Sequence, residues 1–166
     1  MILISGSSGF IGKNITKSLA RKKILFKTVK TKSILKKKDI FFQQVSCFIH
    51  LGFDFQKEKK EIDTNVLTLK KILKLSKKYK FKIIFPSTCT YKYDKKRNVI
   101  NRKIFAFNQY SLSKIKCENL LINHNKNNKS DVIILRIFNV YGVDQKSGWL
   151  IPDLIRKVLS KKDCTE

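Results

Sequence analysis

The segment Gly6-Ser-Ser-Gly9-Phe-Ile-Gly12 follows directly on the apolar run Met1–Ser5 and opens a stretch in which Ile11, Ile15 and Leu19 recur at helical spacing. A strand, a glycine turn and a helix therefore succeed one another. Glycine permits the tight turn, lets backbone N–H groups approach a pyrophosphate, and lets the helix pack close to the strand. The helix N-terminus then faces the phosphates. This arrangement predicts a dinucleotide-binding α/β unit with Gly6, Gly9 and Gly12 in the turn.

The rest of the chain repeats the alternation. Ile24–Val29, Ser46–Leu51, Phe81–Phe85 and Val132–Phe138 read as strands, the third stopped by Pro86. Val66, Leu69 and Leu73 share one face of a helix over about Asp63–Lys78. Tyr110, Lys114, Cys117 and Leu121 share a face of another, which the polar run Asn123–Lys129 ends. Pro152–Leu159 starts a further helical pattern, Thr31–Lys38 reads as a loop and Lys92–Asn108 as irregular. Apolar strands alternating with amphipathic helices predict a Rossmann-type doubly wound parallel sheet. The stretch before Ser46 is too short for a strand with a full crossover helix. A third strand is therefore expected to be trimmed or absent, with Asp39–Gln44 the doubtful segment.

Composition narrows the function. The 166 residues carry 37 Lys+Arg against 12 Asp+Glu, a formal net charge of +25. Only five of the bases are Arg, and the lysines are scattered over nearly every segment. A nucleic-acid site favours bidentate Arg in a focused patch, so a solvated surface with no specific nucleic-acid site is expected. Salt-sensitive polyanion binding follows in either case. No apolar run reaches the ~18–20 residues of a membrane span, and the start of the chain does not read as a signal peptide. Cys47, Cys89, Cys117 and Cys164 lie far apart, with only His50 and His124 as companions, so reduced thiols and no metal site are expected. The expected location is cytoplasmic.

Three further features carry chemistry. The acidic residue that reads a ribose about 20 positions after the glycines is missing. Lys30 and Lys32 stand in that window, where lysine attracts a 2′-phosphate, so NADP is favoured over NAD. Tyr110 and Lys114, four apart, lie on one helix face, where the ammonium favours an ionised phenol and a base near neutral pH. Ser87 and Thr88 stand near a strand's C-terminal end, where sites sit in open α/β sheets.

The order of these motifs is glycine turn, Ile49-His50-Leu51-Gly52, Thr64-Asn65-Val66, Ser87-Thr88, Tyr110-x-x-x-Lys114, then Arg136-Ile-Phe-Asn139-Val-Tyr141-Gly142. It resembles the extended short-chain dehydrogenase/reductases, and within them the NAD-dependent epimerase/dehydratase family acting on nucleotide sugars. The resemblance runs from Met1 to about Leu159. It implies Tyr110 as catalytic base/acid, with Lys114 binding the cofactor ribose and lowering the Tyr110 pKa. Thr88 is then the active-site hydroxyl, also touching substrate. Gly6, Gly9, Phe10, Ile11 and Gly12 would lie by the pyrophosphate, His50, Leu51 and Gly52 along the cofactor, with Lys30 at its ribose, and Asn139 in the substrate site. It also implies a homodimer through the helices at about Asp63–Lys78 and Tyr110–His124.

The sequence departs from the family in places. Cys89-Thr90 stands where dehydratases carry an Asp-Glu pair, which argues against water elimination. Tyr91-Lys92-Tyr93 replaces the usual Val-Tyr-Gly, and Val143 the usual Pro. The implied organisation is a Rossmann domain over 1–146 and, over 147–166, the start of a substrate-binding portion that is largely absent. The implied reaction is hydride transfer at a sugar carbon, as an NAD(P)-dependent nucleotide-sugar epimerase. An NADPH-dependent keto-sugar reductase and a non-catalytic dinucleotide-binding remnant remain as alternatives.

Overall fold

A computed structural model describes residues 1–55, 62–93, 104–128 and 131–160. In chain order the elements are β1 (Ile2–Ser5), α1 (Phe10–Arg21), β2 (Phe26–Val29), α2 (Thr31–Ile34), a 3-10 turn (Asp39–Phe42), β3 (Cys47–His50), α3 (Thr64–Tyr79) and β4 (Lys82–Thr88). Then come β5 (Tyr91–Tyr93), β6 (Ile104–Ala106), α4 (Gln109–Asn128), β7 (Val132–Ile137) and α5 (Leu150–Leu159).

Five strands form one parallel sheet in the order β2-β1-β3-β4-β7. The strand order reverses between β1 and β3, so a crevice opens beyond their C-terminal ends. Right-handed crossovers put α1 on one face and α3 and α4 on the other. The main core lies on the second face, where Leu3, Phe48, Ile83 and Phe85 meet Leu69, Ile72 and Leu121 with no exposed surface. The doubly wound parallel fold is thus as expected, and among the described residues no strand lies outside β2. The third strand is replaced by two short turns that bury Ile34 and Phe42.

Several local expectations need correction. Thr31–Lys38 is not all loop, because α2 turns there and Lys71 of α3 donates 2.8 Å hydrogen bonds to the carbonyls of Leu35 and Lys37 behind it. Ile24 and Leu25 are exposed and precede β2, which is an edge strand. Tyr91–Tyr93 and Ile104–Ala106 pair antiparallel, so Lys92–Asn108 is not all irregular; 94–103 lie outside the described residues. The Val132–Phe138 strand is not buried, since among the described residues β7 pairs with β4 alone and Ile133, Leu135 and Phe138 stay exposed.

Pro86 does not stop its strand, and β4 runs on to Thr88. In the parallel ladder, Ile83 and Cys89 donate toward β7 and Lys82 toward β3. Alternation therefore points position 86 toward β3, whose pairing with β4 ends at Ile84. No ladder hydrogen bond is lost to proline there. The Pro86 carbonyl on the same side takes no part in the ladder and accepts from Lys114 Nζ.

Candidate active site

The glycine turn stands at the mouth of this crevice. Gly6 has a φ of +73°, and a Cβ on it would meet the Gly52 nitrogen at 2.4 Å. A Cβ on Gly12 would meet the Gly6 carbonyl oxygen at 2.2 Å. The fold itself therefore demands these two glycines. Gly9 differs: its φ is −74°, and a Cβ there would touch only the Gly6 oxygen at an ordinary 3.4 Å. Gly9 is the N-cap of α1, whose first turn has no side-chain cap and no acidic residue. Its exposed backbone can receive an anion at the helix N-terminus. Phe10 and Ile11, half-buried, begin the helix beside it.

Gly52 is buried after β3 with its backbone against Gly6, and Leu51 is half-buried beside it. His50 does not reach the surface: it is 1% exposed, and its Nδ1 lies 2.7 Å from Ser5 Oγ, which also accepts from Gly52 N at 3.4 Å. Burial, with a smaller contribution from the Lys114 charge, lowers its pKa to about 3. His50 is thus a neutral clamp between the ends of β1 and β3. Lys30 is exposed at the end of β2, and Asn139 is exposed just past β7.

Thr88 ends β4 and is 7% exposed. Its Oγ1 accepts from Thr90 N and donates to Thr90 Oγ1, both at 3.1 Å. Tyr110 and Lys114 come from the first turns of α4, where Asn108 Oδ1 accepts from Ser111 N at 2.9 Å. The Tyr110 ring is stacked face to face on Phe55, with centroids 4.7 Å apart and planes 9° apart, and lies edge-on to Phe53. Lys114 Nζ donates to the Pro86 carbonyl at 2.6 Å. Burial lowers the Lys114 pKa to about 8.

The expected effect of Lys114 on Tyr110 is not found. Burial raises the Tyr110 pKa, so in this state the phenol is protonated at neutral pH. The physical reason is burial of the phenol, while the ammonium is taken up by the Pro86 carbonyl and the Phe53 and Phe85 rings.

Behind the site lies a buried chain that the sequence reading missed. Ser87 Oγ donates to Tyr91 Oη at 2.8 Å, and Tyr91 Oη donates to Glu118 Oε1 at 2.9 Å. Arg136 of β7 holds Glu118 through Nη2 at 2.7 Å and Nε at 3.2 Å. Burial opposes the Glu118 charge, but these donors outweigh it and keep the carboxyl below its ordinary value. The signal was available, because Tyr110, Lys114 and Glu118 are spaced by four along α4. Asn65 stands out in the sequence only as part of Thr64-Asn65-Val66, yet its Oδ1 accepts from Asp54 N at 2.8 Å and its Nδ2 donates to Asp54 O at 3.1 Å. Phe53 and Phe55 belong to no motif and carried no signal.

A doubly wound parallel sheet with a glycine turn after β1, with Thr88 at the end of β4 and with Tyr110 and Lys114 on the first turns of α4, defines a Rossmann-type protein of the extended short-chain dehydrogenase/reductase kind. The chain belongs to the NAD dependent epimerase/dehydratase family, which it matches over residues 2–166. A curated relative is the dTDP-D-glucose 4,6-dehydratase of Dictyostelium discoideum, 30% identical over 135 residues that make up 73% of this chain and 31% of that protein. Among solved structures, the NAD-dependent NDP-hexosamine 5,6-dehydratase of tunicamycin biosynthesis superposes with a TM-score of 0.82 at 21% identity, covering 96% of this chain and 61% of its own. The UDP-glucuronic acid 4-epimerase of Bacillus cereus, in complex with NAD, gives 0.78 at 22% identity, over 97% and 64%. The chain thus spans under a third of the curated relative and about 60% of these solved structures. No described helix is long and apolar enough to cross a membrane.

Proposed function

We propose that the chain is the dinucleotide-binding part of an NAD(P)-dependent nucleotide-sugar epimerase, with residues 1–146 as that part and 147–166 opening the substrate-binding portion. The observation that carries the reading is that the glycine turn and Thr88 stand at the same end of one parallel sheet, after β1 and at the end of β4, with Lys114 bonded to Pro86 of β4. Among the described residues no contact requires a glycine at position 9. Gly9 fits a pyrophosphate, because the space a Cβ would fill is open. Gly6–Gly12 would hold the phosphates, Lys114 a ribose hydroxyl and Lys30 a 2′-phosphate, which favours NADP. When bound, the nicotinamide accepts and returns hydride.

Tyr110 moves the proton of the reacting sugar hydroxyl at its phenolic oxygen, and Thr88 Oγ1 holds that oxygen as charge develops. With Cys89 and Thr90 next in sequence and Glu118 tied to Arg136, the arrangement suits hydride and proton transfer better than water elimination.

The test is a fluorescence titration with NADH and NADPH. Wild type binds, and Gly9→Val does not, although its fold and thermal transition are kept. Equal affinity in the two proteins overturns the site. Tyr110→Phe leaves cofactor affinity unchanged and lowers any nucleotide-sugar turnover by about 10²–10⁴-fold; undiminished turnover removes the mechanism.

A further inference from the structure

To serve a cofactor, Lys114 must present its ammonium to a ligand hydroxyl, and in this structure that ammonium is enclosed. The residue is 4% exposed. Its Nζ lies 3.7 Å from the Phe53 ring centroid and 4.5 Å from that of Phe85, besides the bond to the Pro86 carbonyl. An ammonium has three donors; a carbonyl takes one, and two aromatic faces close round the rest. Such contacts stabilise a desolvated cation.

The walls of this cage differ in mobility. Phe85 and Pro86 belong to a paired stretch of β4, and Phe85 has no exposed surface. Phe53 is half-buried on the segment after β3 and meets Phe85 and Tyr110 only edge-on, at 6.2 and 5.6 Å. The backbone next to it is pinned, because Asn65 of α3 bonds both the N–H and the carbonyl of Asp54. The Phe53 ring can therefore leave by rotation of its own side chain while the segment stays in place.

We propose that Phe53 cages Lys114, and that a dinucleotide engages Lys114 by displacing the Phe53 ring, so that Phe53 sets cofactor affinity. This rests on Lys114 being a cofactor ligand. It makes Phe53 a positioning residue whose removal strengthens binding, the reverse of what loss of a purely structural aromatic would do. Phe53→Leu keeps apolar bulk and removes the ring face.

Titration with NADPH and NADH should show Phe53→Leu binding about two- to thirtyfold tighter than wild type, the span of a cation–π contact. Lys114→Met should bind more weakly, and adding Phe53→Leu to it should change nothing further. Wild type that binds, with Phe53→Leu no tighter, overturns the cage and leaves the cofactor site standing. Absence of dinucleotide binding in both overturns the cage and the cofactor site together. A second readout needs no variant: brief acylation of the free wild-type protein with acetic anhydride, mapped by peptide mass. Lys114 should react far more slowly than the exposed Lys116 of the same helix, and equal reactivity overturns the cage.

Discussion

His50 shows how a motif position can have a meaning the motif does not state. It stands in the Ile49-His50-Leu51-Gly52 run expected along the cofactor, yet it is buried, with its ring 5.8 Å from that of Phe48 and 6.0 Å from that of Phe85. Its folded pKa of about 3 lies below the ordinary 6.5, because burial and then the Lys114 charge disfavour the imidazolium. The unfolded chain therefore binds a proton that the folded chain refuses. The stability held by neutral His50 is complete above pH 6.5 and is lost as pH falls toward about 3. A shift of this size corresponds to a loss of the order of 4 kcal/mol across that window. His50→Asn keeps a polar atom near Ser5 but does not titrate. Its unfolding free energy should fall less steeply than that of wild type between pH 7 and pH 4 in denaturant titrations. Parallel slopes would mean that His50 is not the group refusing the proton. Gly6, Gly9 and Gly12 were legible as a turn, but the sequence could not separate the two glycines that the fold requires from Gly9, which no contact among the described residues requires.

At the scale of elements, most of the sheet was legible because buried parallel strands are continuously apolar. The errors fall where one neighbour decides the outcome. Pro86 reads as a strand end unless one knows that β3 has already stopped beside it. Val132–Ile137 is apolar enough for a central strand, but its position at the edge is a tertiary fact. Thr88, Tyr110 and Lys114 were legible as motif residues, whereas the contacts that seat α4 on the sheet are tertiary. Glu118 is the clearest of these: from α4 itself it bonds Arg136 of β7 and Tyr91, which in turn bonds Ser87 of β4. Glu118→Gln should lower stability at pH 7 by about 2 kcal/mol, the worth of hydrogen bonds to a buried charge. Its folded pKa lies below the ordinary 4.5, so its contribution is whole above that pH and is lost as pH falls below it. Denaturant midpoints of wild type and variant should converge on acidification through that range. A gap that stays constant would show that the carboxylate charge contributes nothing.

At the scale of the whole molecule two surface properties oppose each other. The formal charge of +25 drives copies apart. Yet exposed large apolar side chains gather in the last part of the described chain, among them Phe138, Val143, Trp149, Leu150, Val158 and Leu159. No residue of α5 is buried, although Leu154 and Ile155 follow Leu150 and Ile151 at helical spacing. An isolated helix of ten residues is marginal in water, so this face gains from any cover. Ionic strength decides which property wins, since the Debye length falls from ~30 Å at 0.01 M salt to ~3 Å at 1 M, while apolar attraction is not screened. The chain should therefore be monomeric at low salt and self-associate as salt rises, in light scattering or sedimentation. Leu154→Asp combined with Ile155→Asp should abolish that rise. A dimer built instead on the lysine-rich α3 and α4, as the family resemblance implies, would survive this double substitution. A mass that does not change with salt would show that the apolar face around α5 drives no association.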